Sequence, residues 1–243
     1  MTTQSRGSST PGAGAQFDRQ LASHIDHTLL KADASLESID ALCREARMYE
    51  FASVCVNPCH VQRCSQLLRS SGVAVCTVVG FPLGATTTMA KVAEAQQAIH
   101  DGASELDMVI NIAMLKAGHE EYVRNEIASI VSVAQPSGGI TKVILETAFW
   151  TEDETRRGCI IAREAGAHYV KTSTGFSSGG ATLDDVHLFR EVLGETMKIK
   201  AAGGIRDRGA ALEFIAHGAD RIGTSAGVRI VTEGWPRLAE NES

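Results

Sequence analysis

The segments Tyr169-Val-Lys-Thr-Ser-Thr-Gly-Phe176 and Lys198-Ile-Lys-Ala-Ala-Gly-Gly204 decide the fold. Each sets a lysine inside a short run of strand-forming or apolar residues that ends on glycine. Runs of this kind read as β-strands. Lysine is ordinarily a surface residue. In an all-parallel sheet both strand faces are covered, so Lys171 and Lys200 must point into an interior or toward its mouth.

The same pattern extends along the chain. Strands are expected over 23–28, 53–58, 74–80, 105–111, 140–147, 169–174, 198–204 and 221–225, with helical stretches between them. Strands that alternate with helices indicate an α/β fold with a parallel sheet, and eight of them close the common (β/α)8 TIM barrel. Over 35–50, Leu36, Ile39, Leu42, Cys43 and Ala46 share a helical face. The stretch 151–167 opens with Thr151 and Glu154, a capping-box pair. Over 207–218, Leu212, Ile215 and Ala216 form a shorter stripe. Gly102, Gly166 and Gly218 suit the left-handed position after a helix. They begin a weak repeat, GASELD, GAHYVK and GADRIG, in which Asp107, Lys171 and Gly223 each follow the glycine by five residues. Equivalent units would set these three at one height, toward the carboxyl ends of the strands, where barrel enzymes carry their chemistry.

The 243 residues, 44 % of them hydrophobic, suit one such barrel over 17–243. Residues 1–16, rich in Ser, Thr and Gly, read as a disordered tail without the apolar run of a signal peptide. A net charge of −6 argues against partnership with nucleic acid or an anionic membrane, and no apolar stretch is long enough to span a bilayer. The expected setting is cytoplasmic. Cys55, Cys59, His60 and Cys64 cluster loosely, but there is no CxxC pair and no complementary second pair, so no metal is expected. The six cysteines read as reduced thiols.

A neutral lysine amine can attack an aldehyde, and the resulting iminium withdraws electrons for carbon–carbon cleavage. Free lysine has a pKa of about 10.4 and is almost wholly charged at neutral pH. A second cation ~5 Å away at an effective dielectric of ~20 opposes that charge by about 3 kcal/mol, roughly two pKa units. Strand six beside strand seven brings Lys171 and Lys200 within such reach, since neighbouring strands lie about 4.8 Å apart. Asp107 interrupts the apolar run Leu106, Met108, Val109, Ile110, where it can pair with Lys200 and relay protons. Lys198 shares parity with Lys200 one step nearer the strand start and is expected to reach solvent at the barrel bottom. Gly203 and Gly204 after strand seven, Gly223 and Ser225 after strand eight, and Gly175 after strand six form a candidate phosphate cradle of backbone N–H groups and one hydroxyl.

Taken together, VKTSTGF (170–176), KAAGGIR (200–206), ELDMVIN (105–111), HTLL (27–30) and TVVGFPLG (77–84) resemble the deoxyribose-phosphate aldolase family, in chain order, from about residue 20 to 232. The resemblance implies a class I aldolase, without metal or cofactor, that reversibly splits 2-deoxy-D-ribose 5-phosphate into acetaldehyde and D-glyceraldehyde 3-phosphate. It maps the Schiff-base lysine onto Lys171 and its charged neighbour onto Lys200. The strand-four aspartate falls on Asp107, and Asp26, Thr28 and Thr172 are expected to line the site. It implies small phosphosugar and aldehyde partners and a homo-oligomer, a dimer first.

The chain departs from some members in two places: Ala226 stands where a second serine occurs, and no tyrosine follows Tyr169, the sequence closing on Asn241-Glu242-Ser243. Cys55, near the end of strand two, either packs in the core or faces the mouth, where an α,β-unsaturated aldehyde could alkylate it. The competing readings are an aldolase for another phosphosugar, a catalytically silent phosphosugar-binding barrel and a metal-dependent aldolase. The chain shows no clustered histidines for the last of these.

Overall fold

A computed structural model describes residues 16–234. The expected tail, apart from Gln16, lies outside the described residues, as does the segment 235–243 with Asn241–Ser243. All eight expected strands are present: β1 Ile25–Leu29, β2 Ser53–Val56, β3 Ala74–Val79, β4 Glu105–Val109, β5 Ile140–Ile144, β6 Tyr169–Lys171, β7 Lys198–Ala202 and β8 Arg221–Thr224. Each is parallel to its neighbours, and β8 pairs with β1 to close the barrel. Most strands end a few residues sooner than the sequence suggests. Their glycine-rich ends turn into loops, as at Gly203 and Gly204, both with positive φ.

The helices follow their sequence signals. α2 Leu36–Met48 buries Ile39, Leu42, Cys43 and Ala46 and is capped by Ser35. α7 Glu152–Glu164 carries the complete Thr151/Glu154 capping box. α9 Arg208–Ala216 buries Ala211 and Phe214, while Leu212 is exposed. The expected stripe holds only in part: Ile215 packs half-buried against the core beside Ala211 and Phe214, while Leu212 and Ala216 are exposed.

Strand parity separates two environments. Outward residues such as Val54, Val75, Met108, Val143, Val170, Ile199 and Ile222 join the main apolar core between barrel and helices. Inward residues form three layers, each supplied by alternate strands, as in other barrels of this shape. A stagger of one residue per strand, read through the pairing register, places Cys55, Asp107, Lys171 and Gly223 in the upper layer. Asp26, Cys76, Lys142 and Lys200 form the middle layer, and Ser53, Glu105, Tyr169 and Arg221 the lower one. The weak GA repeat is therefore structural: Asp107, Lys171 and Gly223 stand at one height. Such layers are usually filled by branched aliphatic residues. Here they hold four basic and three acidic side chains.

A second buried ion pair braces the outside of the barrel. α4 Thr88–His100 supplies Lys91, and α6 Glu120–Ala134 supplies Glu126. Their charged atoms are 2.9 Å apart and both side chains are fully buried. Lys91 Nζ also donates to the Val109 carbonyl at 2.7 Å, and Glu126 accepts the Asn111 N–H at 3.1 Å. The pair thus ties both helices to the end of β4, two residues beyond Asp107. Lys91→Met leaves Glu126 charged and unpaired, which should cost ~3–5 kcal/mol in urea unfolding. Adding Glu126→Leu should recover much of that loss. If the single variant unfolds like the parent, the brace carries no such weight.

Candidate active site

Asp107 sits at the centre of the upper layer. One carboxylate oxygen, Oδ2, accepts from Lys171 Nζ at 2.8 Å and from Lys200 Nζ at 2.7 Å. The other, Oδ1, accepts from Lys142 Nζ at 2.9 Å. Because Lys171 and Lys200 share one oxygen, their ammonium groups cannot be further apart than those two bonds combined.

The network continues downward. Lys200 Nζ is 2.6 Å from Asp26, and Lys142 Nζ is 2.5 Å from Glu105. Arg221 bridges Asp26 at 2.6 Å and Glu105 at 2.8 Å, and the Ser53 hydroxyl donates to Asp26 at 2.7 Å. Asp107, Asp26, Lys142 and Lys200 are fully buried, whereas Lys171, 3 % exposed, reaches the cavity. Burial alone would push the Asp107 carboxyl up, but Lys142, Lys171 and Lys200 outweigh it and hold the group well below its ordinary value. Burial opposes the charge on Lys200, yet Asp107 and Asp26 raise it above the usual lysine range. Lys142 is raised in the same way, with Asp107 the largest of its opposing charges. Lys142 and Lys200 are therefore fixed cations around one fixed anion. Four cations against three carboxylates leave the lumen one positive charge in excess.

Gly223 serves this arrangement by having no side chain. A Cβ there would stand 2.9 Å from Ala202 Cβ and 3.0 Å from Lys200 Cε. Its place in the cavity wall is real, but its main effect is to leave room for Lys200. Lys198 is exposed at the bottom, with Nζ 5.8 Å from the Tyr169 ring centre, in keeping with its expected position.

A cavity of about 370 Å³ opens above Lys171. Thr28, Gly175, Gly203, Gly204, Gly223 and Ser225 all line it, as the sequence suggested. At Gly203 the loop after β6 rests on the loop after β7: the Ala181 N–H donates to the Gly203 carbonyl at 3.0 Å, and a Cβ on Gly203 would meet Gly180 Cα at 3.0 Å. Two expectations need correction. Asp26 does not line the cavity; it lies beneath, in the middle layer, where it neutralises Lys200 and Arg221. Thr172 does not line it either. Its hydroxyl donates to the Ala202 carbonyl and accepts the Ala202 N–H, both at 3.1 Å, which locks β6 to β7.

The sequence reading passed over Lys142, Glu105 and Arg221, although each is a charged residue within a strand, the same signal that exposed Lys171. It also gave no role to Arg206 and Lys31 on the cavity wall. Glu146 was missed as well. This buried residue has φ 61, and its carboxylate accepts from the Thr174 N–H at 3.2 Å, from the Thr174 hydroxyl and from the Ser177 hydroxyl at 3.0 Å. It thereby holds the loop that presents Gly175.

Cys55, Cys59, His60 and Cys64 do not gather into a ligand set among the described residues. Cys55, Cys76 and Asp107 do converge, with ligand atoms within 4.8 Å of one another. Three ammonium groups already occupy that carboxylate and would repel a metal cation. Cys55 is fully buried in the lumen beside Cys76, Val78 and Leu30. The Cys76 thiol lowers its pKa against the opposing effect of burial, and Lys200 adds to that lowering.

A closed parallel barrel with lysines gathered on one carboxylate below a glycine-lined mouth belongs among the barrel aldolases. The chain belongs to the DeoC/LacD family of aldolases, whose family model matches residues 20–232. It is 53 % identical over 218 residues to the deoxyribose-phosphate aldolase of Caldanaerobacter subterraneus, covering 89 % of this chain and 94 % of that one. It is 55 % identical to the Brevibacillus brevis protein of the same name, covering 86 % and 94 %. The solved deoxyribose phosphate aldolase of Aeropyrum pernix, described as a unique tetramer, superimposes with a TM-score of 0.82 at 37 % identity, covering 87 % and 89 %. Among the described residues no helix is long and apolar enough to cross a membrane.

The depressed carboxyls have a consequence for acid stability. Asp26 and Asp107 both lie below their ordinary value of 3.8 in the fold. The folded protein therefore binds fewer protons there than the unfolded chain. Their contribution is whole above about pH 4 and drains as the pH falls through 3.8 toward the folded values. The midpoint of thermal unfolding should fall steeply below about pH 4, and a flat profile down to pH 2.5 would contradict the ion network. Cys55 is fully buried and off the cavity wall, the core alternative of the two, so mass spectrometry after prolonged acetaldehyde exposure should find its thiol unmodified while the fold stays closed. A Cys55→Met variant no longer-lived than the parent would show that the thiol is inert.

Proposed function

We propose that this aldolase reversibly cleaves 2-deoxy-D-ribose 5-phosphate to acetaldehyde and D-glyceraldehyde 3-phosphate through an imine on Lys171. The observation that carries the reading is the single Asp107 oxygen shared by Lys171 and Lys200 at the cavity floor. Lys171 is the lumen cation that reaches the cavity, and the lumen holds one cation more than it has carboxylates. Lys171 is thus the amine placed to attack a carbonyl carbon that enters the cavity.

The amine adds to C1 of the open-chain sugar, and loss of water gives the iminium. A base removes the C3 hydroxyl proton, the C2–C3 bond breaks, and its electron pair flows into the iminium to give an enamine. D-glyceraldehyde 3-phosphate leaves. Protonation of the enamine carbon and hydrolysis release acetaldehyde and restore Lys171. Asp107 and Lys200, whose charges are fixed, stabilise the charge on the reacting groups and orient the water that carries the protons. The phosphate rests on the loops of Gly175, Gly203, Gly204 and Ser225, which line the same cavity as Lys171.

No metal or cofactor enters this scheme. The reading places the enzyme in the cytoplasm as a homo-oligomer, with a dimer the first assembly to test by light scattering. The tetrameric Aeropyrum pernix relative supports an assembled state.

In a coupled assay with deoxyribose 5-phosphate, Lys171→Ala should lose activity by on the order of 10⁴-fold or more. Borohydride with acetaldehyde should leave an ethyl group on Lys171 of the parent and none at that position in the variant. A parent that cleaves the sugar yet stays unlabelled would defeat the imine; a parent that does neither would be a silent binder.

A further inference from the structure

We infer that Lys31 is a specificity-determining residue that reads the negative charge at the phosphate end of the substrate; this rests on the proposed phosphosugar reading. In a chain of net charge −6, the cavity wall includes Lys31, Lys171 and Arg206 and not a single Asp or Glu. Lys171 belongs to the floor and is held by Asp107. Lys31 stands at the rim, and among the described residues no carboxylate lies within 4.0 Å of its ammonium group. The other three buried lysines of the lumen and brace contrast with it, since each of Lys91, Lys142 and Lys200 is neutralised.

The placement of Lys31 is fixed by the fold. It follows β1 by two residues, and β1 lies beside β8, so the loop after β1 stands next to the loop carrying Thr224 and Ser225. Leu30 is buried in the lumen cluster with Cys55, Cys76 and Val78. The Leu30 carbonyl accepts from Asn57 Nδ2 at 3.2 Å, and the Lys31 carbonyl accepts the Ala34 N–H at 3.2 Å. The backbone is thus held on both sides of a solvated, four-carbon side chain. A lysine of this kind acts as a mobile point charge, suited to a phosphate dianion that enters and leaves. The glycine loops and Ser225 supply directional hydrogen bonds, and Lys31 supplies charge selectivity from the adjoining loop after β1. Its expected effect is on capture of the phosphorylated sugar rather than on bond cleavage.

The test compares the parent, Lys31→Met and Lys31→Arg on 2-deoxy-D-ribose 5-phosphate and on unphosphorylated 2-deoxy-D-ribose. The methionine variant should raise KM for the phosphorylated sugar about tenfold at low salt while kcat changes little, so that the preference for that sugar narrows. Arginine should restore most of the preference, and the salt dependence of kcat/KM should be shallower in the methionine variant than in the parent. Inorganic phosphate binding, followed by calorimetry, should weaken in parallel. An unchanged KM with unchanged phosphate binding overturns the assignment. So does an equal loss of kcat on both sugars, which marks a merely structural role. A parent that cleaves neither sugar refutes the functional reading instead, and the phosphate titration of parent against Lys31→Met then still decides on Lys31.

Discussion

The Asp107 carboxylate, shared among Lys142, Lys171 and Lys200, is the constraint on which this molecule is built. Each ammonium lies within 2.9 Å of it, in a lumen that excludes bulk water. Without that carboxylate the upper and middle layers would hold three lysines and one further acid, Asp26, to answer them. Charges buried at such density cost several kcal/mol each in desolvation and are recovered only through close, well-directed partners. The barrel supplies those partners by geometry. Strand tilt and parity set Asp107 in the upper layer directly above the middle-layer lysines, and Lys171 beside it in the same layer.

A polar lumen has to be offset elsewhere, and the fold does this by dividing labour between strand faces. Most outward strand residues are apolar and packed against helices, so the hydrophobic core forms a shell around the barrel rather than a plug within it. The strands tolerate charge on their inner face because their outer face supplies the burial. The same division explains Gly223. It spends a core position on nothing, and the void it leaves lets Lys200 extend to both Asp26 and Asp107. The buried Lys91–Glu126 pair applies the same logic on the outside, where it joins two helices to the backbone just past Asp107.

Much of this was legible from residue type and spacing. The strands announced themselves as short apolar runs, and Lys171, Lys200 and Asp107 stood out as charges within them. The GA repeat carried real geometry, because a stagger of one residue per strand in a closed barrel keeps equivalent positions at one height. Lys142, Glu105 and Arg221 carried the same signal and were passed over, since no local motif surrounds them. Their importance lies in partners far along the chain, as between Arg221 and Asp26 or Lys142 and Asp107, and such pairings follow only from closure and register. Asp26 faces the lumen but one layer below the cavity, and Thr172 lies off the lumen face. Sequence neighbours of a site residue alternate between lumen and wall, and Thr172, one step from Lys171, falls on the strand-to-strand contact. The Leu212 stripe holds only in part for a similar reason. Over so short a helix, α9, the docked face is chosen by the barrel and not by the strongest apolar spacing.

In the proposed reaction, the difference between locked and less firmly held lysines is what suits this scaffold to catalysis. Lys142 and Lys200 are locked by at least two acidic partners each, and their charge is a permanent feature of the lumen. Lys171 has one, Asp107, and that oxygen is shared with Lys200. When Lys171 converts from ammonium to amine, Asp107 keeps two cations, so the buried carboxylate is never left alone. When Lys171 later carries a positive iminium, the same oxygen is available to it. The lumen can therefore accommodate either charge state of the reacting nitrogen without rearranging its other members. Preorganisation of this kind is worth most where water is excluded and the flanking groups cannot relax. The rigid floor also leaves the rim, formed by the loops after β1, β6, β7 and β8, with exposed backbone N–H groups and solvated cations rather than buried ones.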